Sequence, residues 1–302
     1  SMFLTFSRIA FPGPTALRAS ALAFGCLALP SFAQAADEDY EDSTARFQAT
    51  YIRQNKPAFN AAYSGTNSLD ASKAMSYTAT LTGYLGFRPW SGGEFYLNPE
   101  ITQGVPFSGL TGSAAFTNGE LTRTAGTKPH LYRQRIFLRQ TWNLGGGDEK
   151  IEGGLNVMAG TVDKNRIVLT VGNFSTLDVF DGNRFAKDPR VQFMNAGFMT
   201  YLAYDYAADA RGFGVGFAAE WYQDDWVYRI GRMSGPKDPN MLPTAFQLGK
   251  HSGDQIEVQH THELLGQPGA IRGDRVAIRN PHARGGAVPG ENHVIVEIDF
   301  GE

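Results

Sequence analysis

Apolar and polar residues alternate with a period of two along most of this chain, in stretches of roughly ten, and that pattern limits its fold more than anything else. Ser76–Arg88 puts Tyr77, Ala79, Leu81, Leu85 and Phe87 on one face and Ser76, Thr78, Thr80 and Thr82 on the other. Glu94–Thr102 repeats the pattern, with Phe95, Leu97 and Ile101 opposite Glu94, Tyr96, Asn98, Glu100 and Thr102, although Pro99 cannot donate to a strand ladder. Tyr132–Trp142 sets Tyr132, Ile136, Leu138 and Trp142 against Arg133, Arg135, Arg139 and Thr141. Similar segments are expected at Thr44–Tyr51, Arg166–Gly172, Phe198–Tyr206, Phe213–Tyr222, Trp226–Arg232, Asp254–Leu264 and His293–Phe300. Residues 149–165 carry no clear pattern.

The expected strands, about ten, are joined alternately by short turns and by long polar loops. Strands of this length with short turns at one end and long loops at the other describe an antiparallel transmembrane β-barrel. With 35 glycines and 12% aromatic residues the composition also favours an all-β fold. Aromatics near strand ends fit interfacial girdles: Tyr84, Phe87 and Trp90; Tyr132 and Trp142; Trp221, Tyr222 and Trp226. The alternative is a secreted or surface β-sandwich that binds or cleaves carbohydrate, with these aromatics in its core.

The first 35 residues read as a signal peptide. Arg8 and Arg18 precede the apolar run Ala19–Leu29, and Ala33-Gln34-Ala35 offers a cleavage site. Cys26, the only cysteine, lies in that run, so cleavage leaves no thiol for disulfides, metal binding or nucleophilic catalysis. A net charge of −3 gives no reason to expect a nucleic-acid partner.

Three arginines on one strand face cannot point at lipid cheaply, since each costs about 2–4 kcal/mol at the bilayer midplane. Arg133, Arg135 and Arg139 are therefore expected to line a lumen, with Glu94, Tyr96, Glu100, Glu220, Tyr222, Arg229 and Glu257. Arginine forks and carboxylates suit sugar hydroxyls, and Tyr96 or Tyr222 offers a flat surface to a pyranose. The long excursion after Val171 is too charged for a buried crossover and is read as a loop folded near or inside the opening. Its constriction candidates are Asp178, Asp181, Asn183, Arg184, Asp188 and Arg190.

Other constellations are weaker. His260 and His262 point the same way but lack a third ligand, so an interfacial role is preferred to a metal site. Asp178/Asp181 or Asp224/Asp225 as a glycosidase pair is disfavoured, and no nucleophile elbow is present. No enzymatic activity, metal or cofactor is expected.

Several ordered motifs resemble the carbohydrate-selective porin family typified by OprB. They are the run Gly172–Asn195, Tyr204–Gly212, Glu220–Trp226, Phe107–Gly112, Leu138–Trp142 and His262–Gly269. The resemblance spans about Thr44 to Arg272. It implies a sixteen-stranded outer-membrane barrel of a Gram-negative bacterium that passes mono- and small oligosaccharides passively into the periplasm. Its implied partners are sugars as solutes, outer-membrane lipid and the barrel-assembly machinery, and it leaves a homo-oligomer open. The expected domains are a signal peptide (1–35), a barrel domain (36–272) and a divergent tail (273–302). About six strands of the family's barrel then have no counterpart, which puts closure in question.

Overall fold

The computed structural model describes residues 40–110, 117–120, 126–183, 186–195, 206–237, 242, 248–264, 267–279 and 292–300. The expected signal peptide, the Phe198–Asp205 part of an expected strand, and Arg184 lie outside the described residues.

Among the described residues ten strands form one antiparallel sheet: β1 (Ser43–Lys56), β2 (Ala74–Trp90), β3 (Gly93–Val105), β4 (His130–Asn143), β7 (Arg166–Phe174), β8 (Gly214–Gln223), β9 (Trp226–Ser234), β10 (Ser252–Leu264), β11 (Gln267–Arg279) and β12 (Asn292–Phe300). Each strand pairs with the next in that order, so the sheet is an unbroken meander. A separate hairpin, β5 (Asp148–Ile151) and β6 (Gly160–Asp163), hangs between β4 and β7. No pairing joins β1 to β12 among the described residues. β11 runs through residues 272 and 273 without a break, and β12 extends the sheet beyond it.

Burial follows the alternation in the inverted sense. On β2 the hydroxyl face is buried, with Ser76 at 1% exposure and Thr82 at 0%, while Leu81 and Phe87 on the apolar face are 47% and 48% exposed. On β3, Asn98 and Glu100 are buried and Ile101 is exposed. Elsewhere Phe217, Ile230, Ile256 and Ile271 face outward in the same way. A water-soluble sandwich would bury the leucines and expose the threonines. This sheet does the reverse, which suits a wall with hydrocarbon outside and polar groups within. No helix is long and apolar enough to cross a membrane among the described residues.

The connections sort by length. Two-residue turns join β2 to β3 and β8 to β9, using Gly92 and Asp224 in left-handed conformations. Long loops join β1 to β2, β3 to β4, β7 to β8 and β9 to β10 at the opposite end. Outward-facing Phe87, Trp90, Trp142, Trp221, Trp226 and Tyr228 gather near the short-turn end as a girdle. The expected girdle tyrosines Tyr84, Tyr132 and Tyr222 instead face inward, where polar partners satisfy each phenol.

One irregularity decides a site residue. The β3–β4 register shifts at Asn98/Pro99, where Asn98 pairs with Arg135 and Pro99 with Arg133, leaving Gln134 as an extra residue. Proline supplies no N–H, so a bulge is tolerated there. Gln134 and Arg135 consequently both point inward. Tyr132 also faces in, and Arg133, between two inward neighbours, points out and is exposed. Arg133 therefore does not share the polar inward face with Arg135 and Arg139, contrary to the strict alternation. It lies near the long-loop end of its strand, where an outward arginine costs only about 0–1 kcal/mol.

Candidate functional site

The loop that follows β7 folds back against the polar face. Its entry is fixed locally. Ser175 caps the short 3-10 turn Thr176–Asp178, its hydroxyl accepting from Leu177 N–H at 3.3 Å, while Ser175 N–H donates to the Asp178 carboxylate at 2.9 Å. This orients Asp178 toward Arg135, whose Nε and Nη2 each donate to it at 2.7 Å. Phe180 is fully buried beside Gly231, where a Cβ would come within 2.9 Å of the ring. Glycine at that wall position makes room for the loop. Asp181 takes a left-handed conformation with φ 54°, and its N–H donates to Glu257 at 2.8 Å.

Further along, Asp188 accepts from Arg190 N–H at 2.9 Å, and Gln192 accepts from the N–H groups of Lys187 and Asp188. These turns deliver the Arg190 guanidinium to the polar face of β1, β2 and β3. It donates to Glu120 at 2.6 Å, to Glu100 at 2.7 Å, and to Tyr84, Gln48 and Thr82 at 2.9–3.2 Å. Arg211, at the far end of the same loop, also pairs with Glu100. Loop and wall are thus joined mainly by charge-assisted bonds, stronger than neutral ones.

Two other clusters complete the inner face. Arg229 bridges Glu220 at 2.9 Å, Glu257 and Gln259, and Glu220 accepts from the Tyr222 hydroxyl at 2.8 Å. Glu94 accepts from Arg88 at 3.1 Å, Arg139 at 3.4 Å and the Tyr96 hydroxyl at 3.0 Å.

The expected residues therefore divide. Glu94, Tyr96, Glu100, Arg135, Arg139, Glu220, Tyr222, Arg229 and Glu257 all lie on the inward, polar face of the sheet. Asp178, Asp181, Asn183, Asp188 and Arg190 lie on the loop packed against that face, with Asn183 and Asp188 shaping turns. Tyr96 cannot act as a sugar platform: it is 0% exposed and stacks on Phe137 at 5.0 Å. Arg166 covers one face of Tyr222, its guanidinium 3.9 Å from the ring centroid. Among the described residues no three His, Cys, Asp or Glu side chains form a metal site. The His260 ring lies tilted against Trp226 at 4.4 Å and stacks with His262 at 6.0 Å.

Sequence reasoning did not single out Arg46, Arg88, Glu120, Gln134 or Arg211. Alternation extended to the strand ends signals the first two, which share the faces of Thr44 and Thr82. Nothing local signals the others.

Burial alone would raise the Asp178 carboxyl pKa, but the Arg135 guanidinium and Ser175 N–H more than offset this and hold it below its ordinary value near 3.8. A depressed carboxyl stabilises at every pH above its ordinary value, and that contribution is lost as pH falls through the lower folded value. The Asp178 anchor is therefore expected to be indifferent to pH from neutrality down to about 3.8 and to loosen below it. In bilayer recordings, acid-induced current noise present in the wild type and absent in Asp178→Asn, whose anchor is already neutral, would show this.

A meander with an apolar outside, a charged inside and a loop packed into the interior is the wall of a porin-type transmembrane β-barrel. Comparison with known families is more specific: residues 78–302 match the model for the carbohydrate-selective porins of the OprB family, and the chain belongs to that family. The match continues past Arg272 to residue 302. Among solved structures, the chain is similar to OprB of Pseudomonas putida in its high-pH structure, with a TM-score of 0.57 and 12% identity. That likeness covers 84% of this chain and 60% of the solved one. No curated protein matches the chain.

Proposed function

We propose that this chain forms the wall and constriction of a Gram-negative outer-membrane channel through which mono- and small oligosaccharides diffuse passively to the periplasm. The observation that supports this most is the charge balance of the inner face. Arg135, Arg190, Arg211 and Arg229 are matched by Asp178, Glu120, Glu100 and Glu257 respectively. The inward Thr78, Thr80, Asn98 and Gln255 lie on the same wall. Such a surface offers dense hydrogen bonding with little net field, which favours uncharged polyols over ions. Hydrolysis has no support from Asp178, because a carboxylate locked to Arg135 is a poor general acid. Solutes, outer-membrane lipid and the barrel-assembly machinery are the partners this reading requires, and homo-oligomers are compatible with it.

Liposomes carrying the full-length protein are expected to swell in isotonic monosaccharide and to keep their volume in isotonic large polysaccharide. Arg135→Ala removes the anchor of Asp178 and is expected to change both the swelling rate and the block of ion current by sugar. A protein that extracts without detergent as a soluble monomer, shows no heat-modifiable gel mobility and gives no swelling would refute the channel.

A further inference from the structure

We propose that residues 152–159, between β5 and β6, form a second constriction at the short-turn mouth of the lumen and set the largest solute that can leave. The proposal rests on the channel reading above and concerns a segment distinct from the long loop.

Among the described residues this segment is the one long excursion at the end of the sheet where the other connections are short. It does not hang outside. Its tip is a tight turn in which Gly154 and Val157 exchange backbone hydrogen bonds, with Asn156 at φ 57°. The inward side chains of four wall strands then take hold of it. From β1, Arg46 donates to the carbonyls of Gly154 and Val157 at 3.1 and 3.4 Å. From β2, Arg88 donates to the carbonyls of Met158 and Ala159 at 3.3 and 3.1 Å. From β3, the Tyr96 hydroxyl accepts from Met158 N–H at 3.1 Å, and from β4 Arg139 donates to the Asn156 carbonyl at 3.1 Å. At about 4.8 Å per strand, a segment leaving β4 and held at β1 crosses the inner side of roughly 14 Å of wall.

The far side is latched. Glu41 N–H donates to the Ala159 carbonyl at 3.0 Å, and the Glu41 carboxylate accepts from Ala159 N–H at 2.7 Å. Glu41 also pairs with Arg46 at 2.6 Å. Gly153 lies so close that a Cβ would meet Arg46 Nη2 at 2.7 Å and Glu41 Oε2 at 2.9 Å. Met158, 1% exposed, joins the apolar spine of Tyr96, Phe137 and Phe174. The spine continues to Phe180, on the long loop. The strap and the long loop thus lean on one set of rings inside the wall, one from each end.

Because guanidinium forks hold backbone carbonyls, the strap's position depends little on its own side chains. Leu155, at the turn, is 40% exposed, so a reporter can be placed there without disturbing the clamp. In a Cys26→Ser background, Leu155→Cys in planar bilayers is treated with a bulky cationic thiol reagent. Current is expected to fall on modification, and protection by a saccharide near the size limit is expected to slow the reaction. Replacing Glu152–Met158 with a short Gly-Ser linker is expected to raise conductance about twofold or more, since the narrowest radius controls flux, and to admit saccharides longer by at least one unit. A modified Leu155→Cys channel with unaltered current, or a folded linker variant with the wild-type size limit, overturns the strap as a constriction while leaving the channel standing. If the linker variant fails to fold, the Leu155→Cys result decides alone. Wild-type protein that passes no saccharide removes the channel reading and this inference together.

Discussion

Arg190→Ala is expected to cost about 3–5 kcal/mol of folding stability, the usual penalty for removing one partner of a buried ion cluster. Arg190 is 6% exposed and its partner Glu100 fully buried, with Glu120 on the other side. Removing the guanidinium takes the cation from Glu120, leaves Glu100 with Arg211 as its remaining cation, and deprives Tyr84, Gln48 and Thr82 of a donor. The loop should then leave the lumen, and conductance should rise as stability falls. Unfolding in urea from mild detergent, followed by gel mobility, measures the first effect, and single-channel recording the second. The double variant Arg190→Met with Glu100→Gln should be less damaging than the sum of the two single changes, because groups in one network do not act additively. Strict additivity, with an unchanged channel, would mean that Arg190 does not hold the loop.

The second large effect tests the inverted burial. Leu81→Arg, on the exposed face near the middle of β2, is expected to destabilise the membrane-inserted protein by about 2–4 kcal/mol. On a soluble protein the same change at a residue 47% exposed would lie within about 0.5 kcal/mol of neutral. Arg53→Leu, an outward position near the long-loop end of β1, should by contrast be nearly silent. Equal, small effects at both positions in lipid would mean that hydrocarbon does not meet this face.

Parts of this molecule could be read from the sequence because their causes are local. A side chain on a strand faces one way or the other by position alone, so the buried Thr78–Thr80–Thr82 row and the exposed Leu81–Leu85–Phe87 row follow directly from residue order. The length contrast between turns and loops is equally visible, as is the placing of Asp178 and Arg190 on an in-folded loop. The alternation failed at Gln134, where one extra residue reversed the faces of Tyr132 and Arg133. Pro99 was the sequence signal, but it lies on the neighbouring strand, and only pairing reveals which residue is squeezed out.

What the order of residues settled by itself is the inverted wall: alternate side chains cannot share a face, and charge is too costly in hydrocarbon to face it. Tertiary structure alone decided which charges meet. Glu100 finds Arg190 and Arg211 at 90 and 111 residues' separation, and residues 152–159, patternless in isolation, are placed by arginines from strands β1, β2 and β4. Backbone carbonyls carry no residue identity, so a segment held by them leaves no trace in its own sequence.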